Sequence, residues 1–354
     1  MTRRILGVFC FLFMSLSPVA AQWQVHPQVS GTTAQLRGIS AVSGRVAWAS
    51  GTQGTVLRTV DGGSHWEKRS VPGAEALDFR DIQAFDAKKA FVLSIGPGEQ
   101  SRIYRTTDGG KSWKLQFTNP EPKAFYDCFA FWDSKHGIAM SDSVDGRFPL
   151  LITSDGETWM PLAPRTLPAA LPNEGGFAAS GTCVAVAGKN DAWFVTGGPD
   201  ARVFHSADRG INWEVFNTPI LSGAATQGIF SVAFADSLHG VIVGGDYKEP
   251  KLGGKNAAYT SDGGKTWTLA EKPPNGYRSA VAFVPRWNTW ITVGTSGAEF
   301  SGYDGKSWNP VLRDKDPGGE YNAVSFAYIK HGWAGWAVGP QGRIVSVDWY
   351  PALD

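Results

Sequence analysis

Thr260-Ser261-Asp262-Gly263-Gly264-Lys265-Thr266-Trp267 is a turn flanked by two strand-forming ends. An Asp at this position folds its carboxylate back onto backbone N–H groups. Gly263 and Gly264 accept positive φ. Trp267 starts the returning strand and covers the turn. The octapeptide therefore reads as strand, turn, strand, with a structural Asp. It recurs as Thr59–Trp66, with Asp61 and Trp66, and as Thr106–Trp113, with Asp108 and Trp113. Looser copies pair Asp155 with Trp159 and Asp208 with Trp213, and a shortened copy pairs Asp304 with Trp308. Successive Asp residues lie 47, 47, 53, 54 and 42 positions apart. A unit of that length fits a four-stranded propeller blade.

Upstream of each turn an apolar strand is followed by a short polar turn and a second strand ending in Gly or Ser. Seven such inner strands are expected, near Ile39, Ile82, Phe129, Val184, Val232, Val281 and Val324. The Asp turns number six. The seventh unit reaches a third strand at 343–348 and lacks a fourth. Trp23-Gln24-Val25-His26 matches the fourth strands that begin at Trp66, Trp213 and Trp267, so it supplies the missing one. This predicts an all-β fold, a seven-bladed β-propeller closed by the N-terminal strand, with no exposed sheet edge left by an open array.

The motif Asp-Gly-Gly-Lys-Thr/Ser-Trp marks this chain as similar to the Asp-box (BNR-like) propellers. With the strand entries Arg37-Gly38-Ile39 and Arg80-Asp81-Ile82, it most resembles the photosystem II stability/assembly factor-like group. The resemblance spans essentially the whole chain after residue 21. It implies a seven-bladed propeller that binds a protein partner, with an arginine patch in the binding face. Asp-box repeats also occur in sialidases, which makes a glycan-active or glycan-binding propeller the alternative. A sialidase needs three arginines and a Tyr–Glu pair, and its usual Arg-Ile-Pro element is absent at Leu36-Arg37-Gly38-Ile39. A glycoside hydrolase of another kind needs only two carboxylates. Asp127, Asp142 and Glu174 are the candidates on the relevant face.

The ends of the chain and its composition set the compartment and exclude some partners. Residues 1–21 carry Arg3 and Arg4, an apolar run and a small-residue finish at Ala21, the logic of a cleaved secretory signal peptide. Residues 22–354 then form one domain, expected to be periplasmic or secreted and monomeric. No other segment could insert into a membrane. Of 354 residues, 42% are hydrophobic, and 43 Gly and 15 Trp suit an all-β core. Without the leader, 31 Lys and Arg face 32 acids, which argues against a nucleic-acid partner held by bulk charge. Export permits Cys128 and Cys183, at equivalent positions of neighbouring units, to form a disulfide without requiring it.

Loops on one face of the repeat are short and uniform. Those on the other vary, with long segments at 163–181 and 246–256. Insertions confined to one face mark a binding face. Arg37, Arg80 and Arg278 sit just before inner strands on that side and are expected to form one basic patch for a protein partner, a membrane-protein segment under assembly being one candidate. Arg suits carboxylate recognition, while Asp78, Asp81 and Glu320 are available as local salt-bridge partners. His136, His239 and His331 precede Gly in non-adjacent units and read as turn residues, not metal ligands. No cofactor motif is present.

Overall fold

The computed structural model describes residues 22–311, 319–329 and 332–350; the leader at 1–21 and His331 lie outside the described residues. Seven antiparallel sheets follow one another along the chain. Blade one runs Leu36–Ala41, Ala47–Gly51, Thr55–Thr59 and Glu67–Lys68 from inside to outside. Blades two to six repeat this order, with inner strands Asp78–Ala84, Tyr126–Phe131, Val184–Ala187, Ala224–Phe234 and Ala280–Val284, and in blade five the short strand Gly197–Gly198 adds a fifth strand beside Ala224–Phe234. Blade seven has Ala323–Ile329, Gly332–Val338 and Ile344–Tyr350, and its outer strand is Gln22–Gln28 from the other end of the chain. Val25 lies opposite Val347 in that pairing. Inner strands of successive blades pack together, and that of blade seven packs on that of blade one, so the ring closes.

The middle strands explain the composition. They are covered on both faces by neighbouring blades, so they need continuous apolar sequence, not alternation. Ala47–Gly51 and Thr289–Gly294 are buried at every position. Trp48, Trp193, Trp290 and Trp336 on such strands are fully buried between blades. Covalent support is added where the Cys128 and Cys183 sulfurs are bonded, tying the inner strand of blade three to the entry of blade four.

The repeated turn is built from four hydrogen-bonding atoms. In blade one, Thr59 Oγ1 donates to Asp61 Oδ1 at 2.9 Å and accepts the Gly63 N–H at 2.8 Å. Asp61 Oδ1 also accepts the His65 N–H at 3.0 Å. Gly63 has φ +89°, a region closed to most side chains. Thr106 with Asp108, Thr153 with Asp155, Ser206 with Asp208 and Thr260 with Asp262 repeat the side-chain bond. In these five copies the hydroxyl two residues before the Asp is thus as much part of the motif as the Asp, and the shortened copy at Asp304 has Gly302 there instead. The turn is then fixed to its own blade: Gly62 N–H donates to Arg45 O and Gly109 N–H to Lys88 O. These bonds put the Asp turns and the inner turns on one face, and the variable connections on the other.

Candidate functional site

Four inner strands carry an irregularity at the same point of the repeat, between Leu36 and Gly38, Phe79 and Asp81, Tyr126 and Cys128, and Ile229 and Ser231. The extra residues are Arg37, Arg80, Asp127 and Phe230. A bulge leaves its residue unpaired and re-aims the side chain. Here it directs one residue from each of blades one, two, three and five to the mouth of the central channel.

Arg37 and Arg80 meet there, as the strand entries suggest. Arg80 pairs through Nε with Asp78 at 2.9 Å. Asp81 is not its partner; that carboxyl is buried, accepts the Phe129 N–H at 2.8 Å, and is pushed well above the usual carboxylate range by burial. Burial and then the charge of Arg80 lower the Arg37 guanidinium from its ordinary value. Arg37 Nε is buried without a hydrogen-bond partner.

Arg278 does not join the patch, which corrects the expectation from sequence. It lies one residue before the position equivalent to Arg37 and Arg80, which in blade six is Ser279: the Arg278 N–H bonds Gly244 O as the Leu36 N–H bonds Gly339 O. One step along a strand reverses a side chain's direction. Arg278 is accordingly buried inside blade six, where Nε and Nη2 each reach the Glu299 carboxylate at 2.5 Å and Nη1 donates to Ser296 Oγ at 2.8 Å. All of its charge is used internally. Glu174 is likewise unavailable as a general acid. It is 2% exposed, accepts Arg202 Nε at 2.8 Å and the Thr196 hydroxyl at 2.6 Å, and caps the Leu171 N–H.

The connection between blades three and four crosses the mouth. Arg37 Nη1 donates to Ala179 O at 3.3 Å, and Arg80 Nη1 to Ala178 O at 2.9 Å. Phe177 stacks on Phe230 with centroids 3.9 Å apart and planes 13° apart. On the opposite side, Asp142 Oδ1 accepts the Gly176 N–H at 2.7 Å, and the Asp127 carboxyl lies close to the Ala178 N–H. Gly175 and Gly176 allow this close approach: a Cβ on Gly175 would lie 2.3 Å from Asp142 Oδ1 and push that carboxylate aside, and one on Gly176 would lie 3.0 Å from Asp127 Oδ2.

Two cavities flank this crossing and share Arg80, Phe177 and Ala178. One, ≈ 440 Å³, is lined by Arg37, Phe230, Tyr247 and Tyr277. The other, ≈ 330 Å³, is lined by Asp127, Asp142, Asn173 and Gly176. Asp142 is pushed up to about 6 by burial. Asp127, 1% exposed, is pushed well above the usual range by burial and then by the Asp142 charge, and its Oδ2 has no hydrogen-bond partner. The mouth is therefore basic and aromatic on one side of the crossing and acidic on the other. Phe230 was missed in the sequence, although it stands where the repeat places Arg37 and Arg80.

The remaining sequence candidates lie elsewhere. His136 binds Asp133 and His239 binds Asp236 within their own turns. No group of three or more metal-ligating side chains occurs among the described residues. Asp61 and Asp108 are held down at about 2 by hydrogen bonds from His65 and Ser112.

The family model for the photosynthesis system II assembly factor YCF48 matches residues 18–124. A solved structure of YCF48 bound to D1 peptide aligns with a TM-score of 0.65 at 15% identity, over 93% of this chain and 99% of that one. YCF48 from Cyanidioschyzon merolae aligns with a TM-score of 0.62 at 19% identity, over 92% and 98%. No curated protein sequence matches the chain. The chain is a BNR-like β-propeller of seven blades that resembles the photosystem II assembly factor YCF48.

Proposed function

We propose that this protein is an exported, non-catalytic scaffold whose channel mouth binds a protein partner, with Arg37 and Arg80 taking an acidic group of that partner. One observation carries the reading. Two adjacent guanidiniums are partly withdrawn from water, and one of them keeps a buried N–H without an acceptor. Buried donors of this kind are expensive unless paired, and a carboxylate supplies the missing acceptor and the countercharge together. Phe230, Tyr247 and Tyr277 add aromatic surface of the kind that anchors protein interfaces. The similar structure of YCF48 with D1 peptide makes a segment of a membrane protein under assembly the first partner class to test.

The glycan-active alternative would draw on Asp127 and Asp142. Asp142, however, accepts the Gly176 N–H of the crossing segment and Asp127 lies against the Ala178 N–H, so both face a segment they help to position. The deciding experiment is affinity co-purification of the tagged protein from its native envelope, comparing wild type with R37A/R80A. A specific partner retained by wild type and lost by the double variant supports the scaffold. An unchanged partner set removes the arginines from the mechanism.

A further inference from the structure

We infer that residues Gly175–Ala179 act as a built-in pseudo-ligand: they occupy the groove that receives an extended peptide segment of the partner, and the partner binds by displacing them. This deepens the scaffold reading and rests on it.

The contacts are those of a peptide receptor. Carbonyls of the segment are taken by Arg37 and Arg80, the Gly176 N–H is taken by Asp142, and the Asp127 carboxyl lies close to the Ala178 N–H. The receptor therefore reads peptide backbone from both sides, guanidinium groups on C=O and carboxyl oxygens on N–H. One aromatic ring, Phe177, supplies the side-chain anchor on Phe230. Ala179 packs its small side chain with Phe230 and Tyr277, while Gly175 and Gly176 bring no side chain. Extended peptides are commonly captured by main-chain hydrogen bonds plus one or two side-chain pockets.

The crossing also fits its groove imperfectly. Cavities lie on both sides of Phe177 and Ala178. Arg37 Nε and Asp127 Oδ2 remain unpaired with the segment in place, and Asp127 faces the like charge of Asp142. A longer or more polar segment in the same groove can satisfy both atoms, so an external ligand has interactions available that the internal one forgoes. The segment's advantage is its tether, which gives it a high effective concentration that a partner must overcome. The displaced segment would lie between two fixed points. Glu174 is held by Arg202 on one side, and the Ser180 hydroxyl donates to Ser279 O at 2.7 Å on the other.

The test uses an acetylated, amidated peptide copying residues 173–180, Asn-Glu-Gly-Gly-Phe-Ala-Ala-Ser, and the purified full chain. F177A removes the internal anchor and leaves Phe230 open. The peptide is expected to bind F177A at least about tenfold more tightly than wild type by calorimetry, since the competitor has been weakened. A peptide with Ala for Phe should bind neither protein, and R37A/R80A in the F177A background should lose binding. If F177A does not fold, F177L replaces it, weakening the internal stack on Phe230 while leaving every receptor residue in place. Equal affinity for wild type and the loosened variant, or no binding to either, overturns the inference. In that event, a co-purified partner that still depends on Arg37 and Arg80 would leave the scaffold reading standing.

Discussion

Phe177 of the connection between blades three and four lies flat against Phe230 of blade five, with centroids 3.9 Å apart, so one ring pair holds the chain across the channel mouth. Phe230 is 2% exposed and also meets Tyr277 edge-on at 4.8 Å. Truncating it to Ala removes a buried ring and both contacts. The F230A variant is expected to lose about 3 kcal/mol in urea unfolding, the low end for such a change because a cavity already adjoins the site. Amide exchange at Gly176 and Ala178 should accelerate more than exchange in Val184–Ala187.

The two kinds of arginine should separate in stability measurements. R278A leaves the Glu299 carboxylate buried without its partner and is expected to cost about 3–5 kcal/mol. R80A, whose side chain is 25% exposed, should cost about 1 kcal/mol or less. Replacing Arg278 and Glu299 together by Met and Leu should recover most of the first loss, because a buried ion pair and an apolar pair of similar volume are often nearly equivalent. Denaturant midpoints of the three variants against wild type check this.

Removing the Cys128–Cys183 bond as C128A/C183A releases a loop with a sequence separation of 55. Loop-closure entropy puts the cost at about 4 kcal/mol. Thermal unfolding of the variant, and of wild type with and without reductant, measures it. Partner capture should persist, since neither sulfur reaches the mouth.

The pH dependence should have two limbs of opposite sign. Asp61 and Asp108 are held at about 2 when folded and sit near 3.8 when unfolded. The unfolded chain binds more protons between those values, so their contribution is present above about pH 4 and is lost as pH falls toward 2. Asp142 is raised to about 6 when folded. There the native state binds more protons, so stability falls as pH rises from about 4 through 6. D142N should make the second limb shallower, Asp81 and Asp127 carrying the rest of it, and leave the first. D61N/D108N should blunt the first. Urea midpoints between pH 2 and pH 8 would show whether the limbs separate this way.

Much of this architecture is legible in the sequence because it rests on local chemistry. Asp262, its two glycines and Trp267 declare a turn in eight residues, and copies at one spacing declare blades. The match of Trp23–His26 to other fourth strands shows how blade seven is completed. The site is less legible. Arg278 looks like Arg37 and Arg80 by proximity to an inner strand, yet a single residue of register sends it into the blade. A bulge decides that register, and no residue type announces a bulge. The segment 163–181 is visibly long, but its path across the mouth depends on Arg37, Arg80, Asp142 and Phe230, from four different blades. Phe230 could have been found by aligning the repeats at the bulge position and reading down the column.

Blade seven also sets the order in which the molecule can become whole. His26 and Asp348 touch at 3.1 Å across a sequence separation of 322. The strand that receives Gln22–Gln28 is Ile344–Tyr350, among the last described parts of the chain to leave a ribosome. Until then the first strand has no sheet to join, and six blades wait with an unfinished seam. Closing that seam pays the largest loop entropy in the fold. Loss of either strand would open the same blade, so the two far ends of the chain are guarded by one latch.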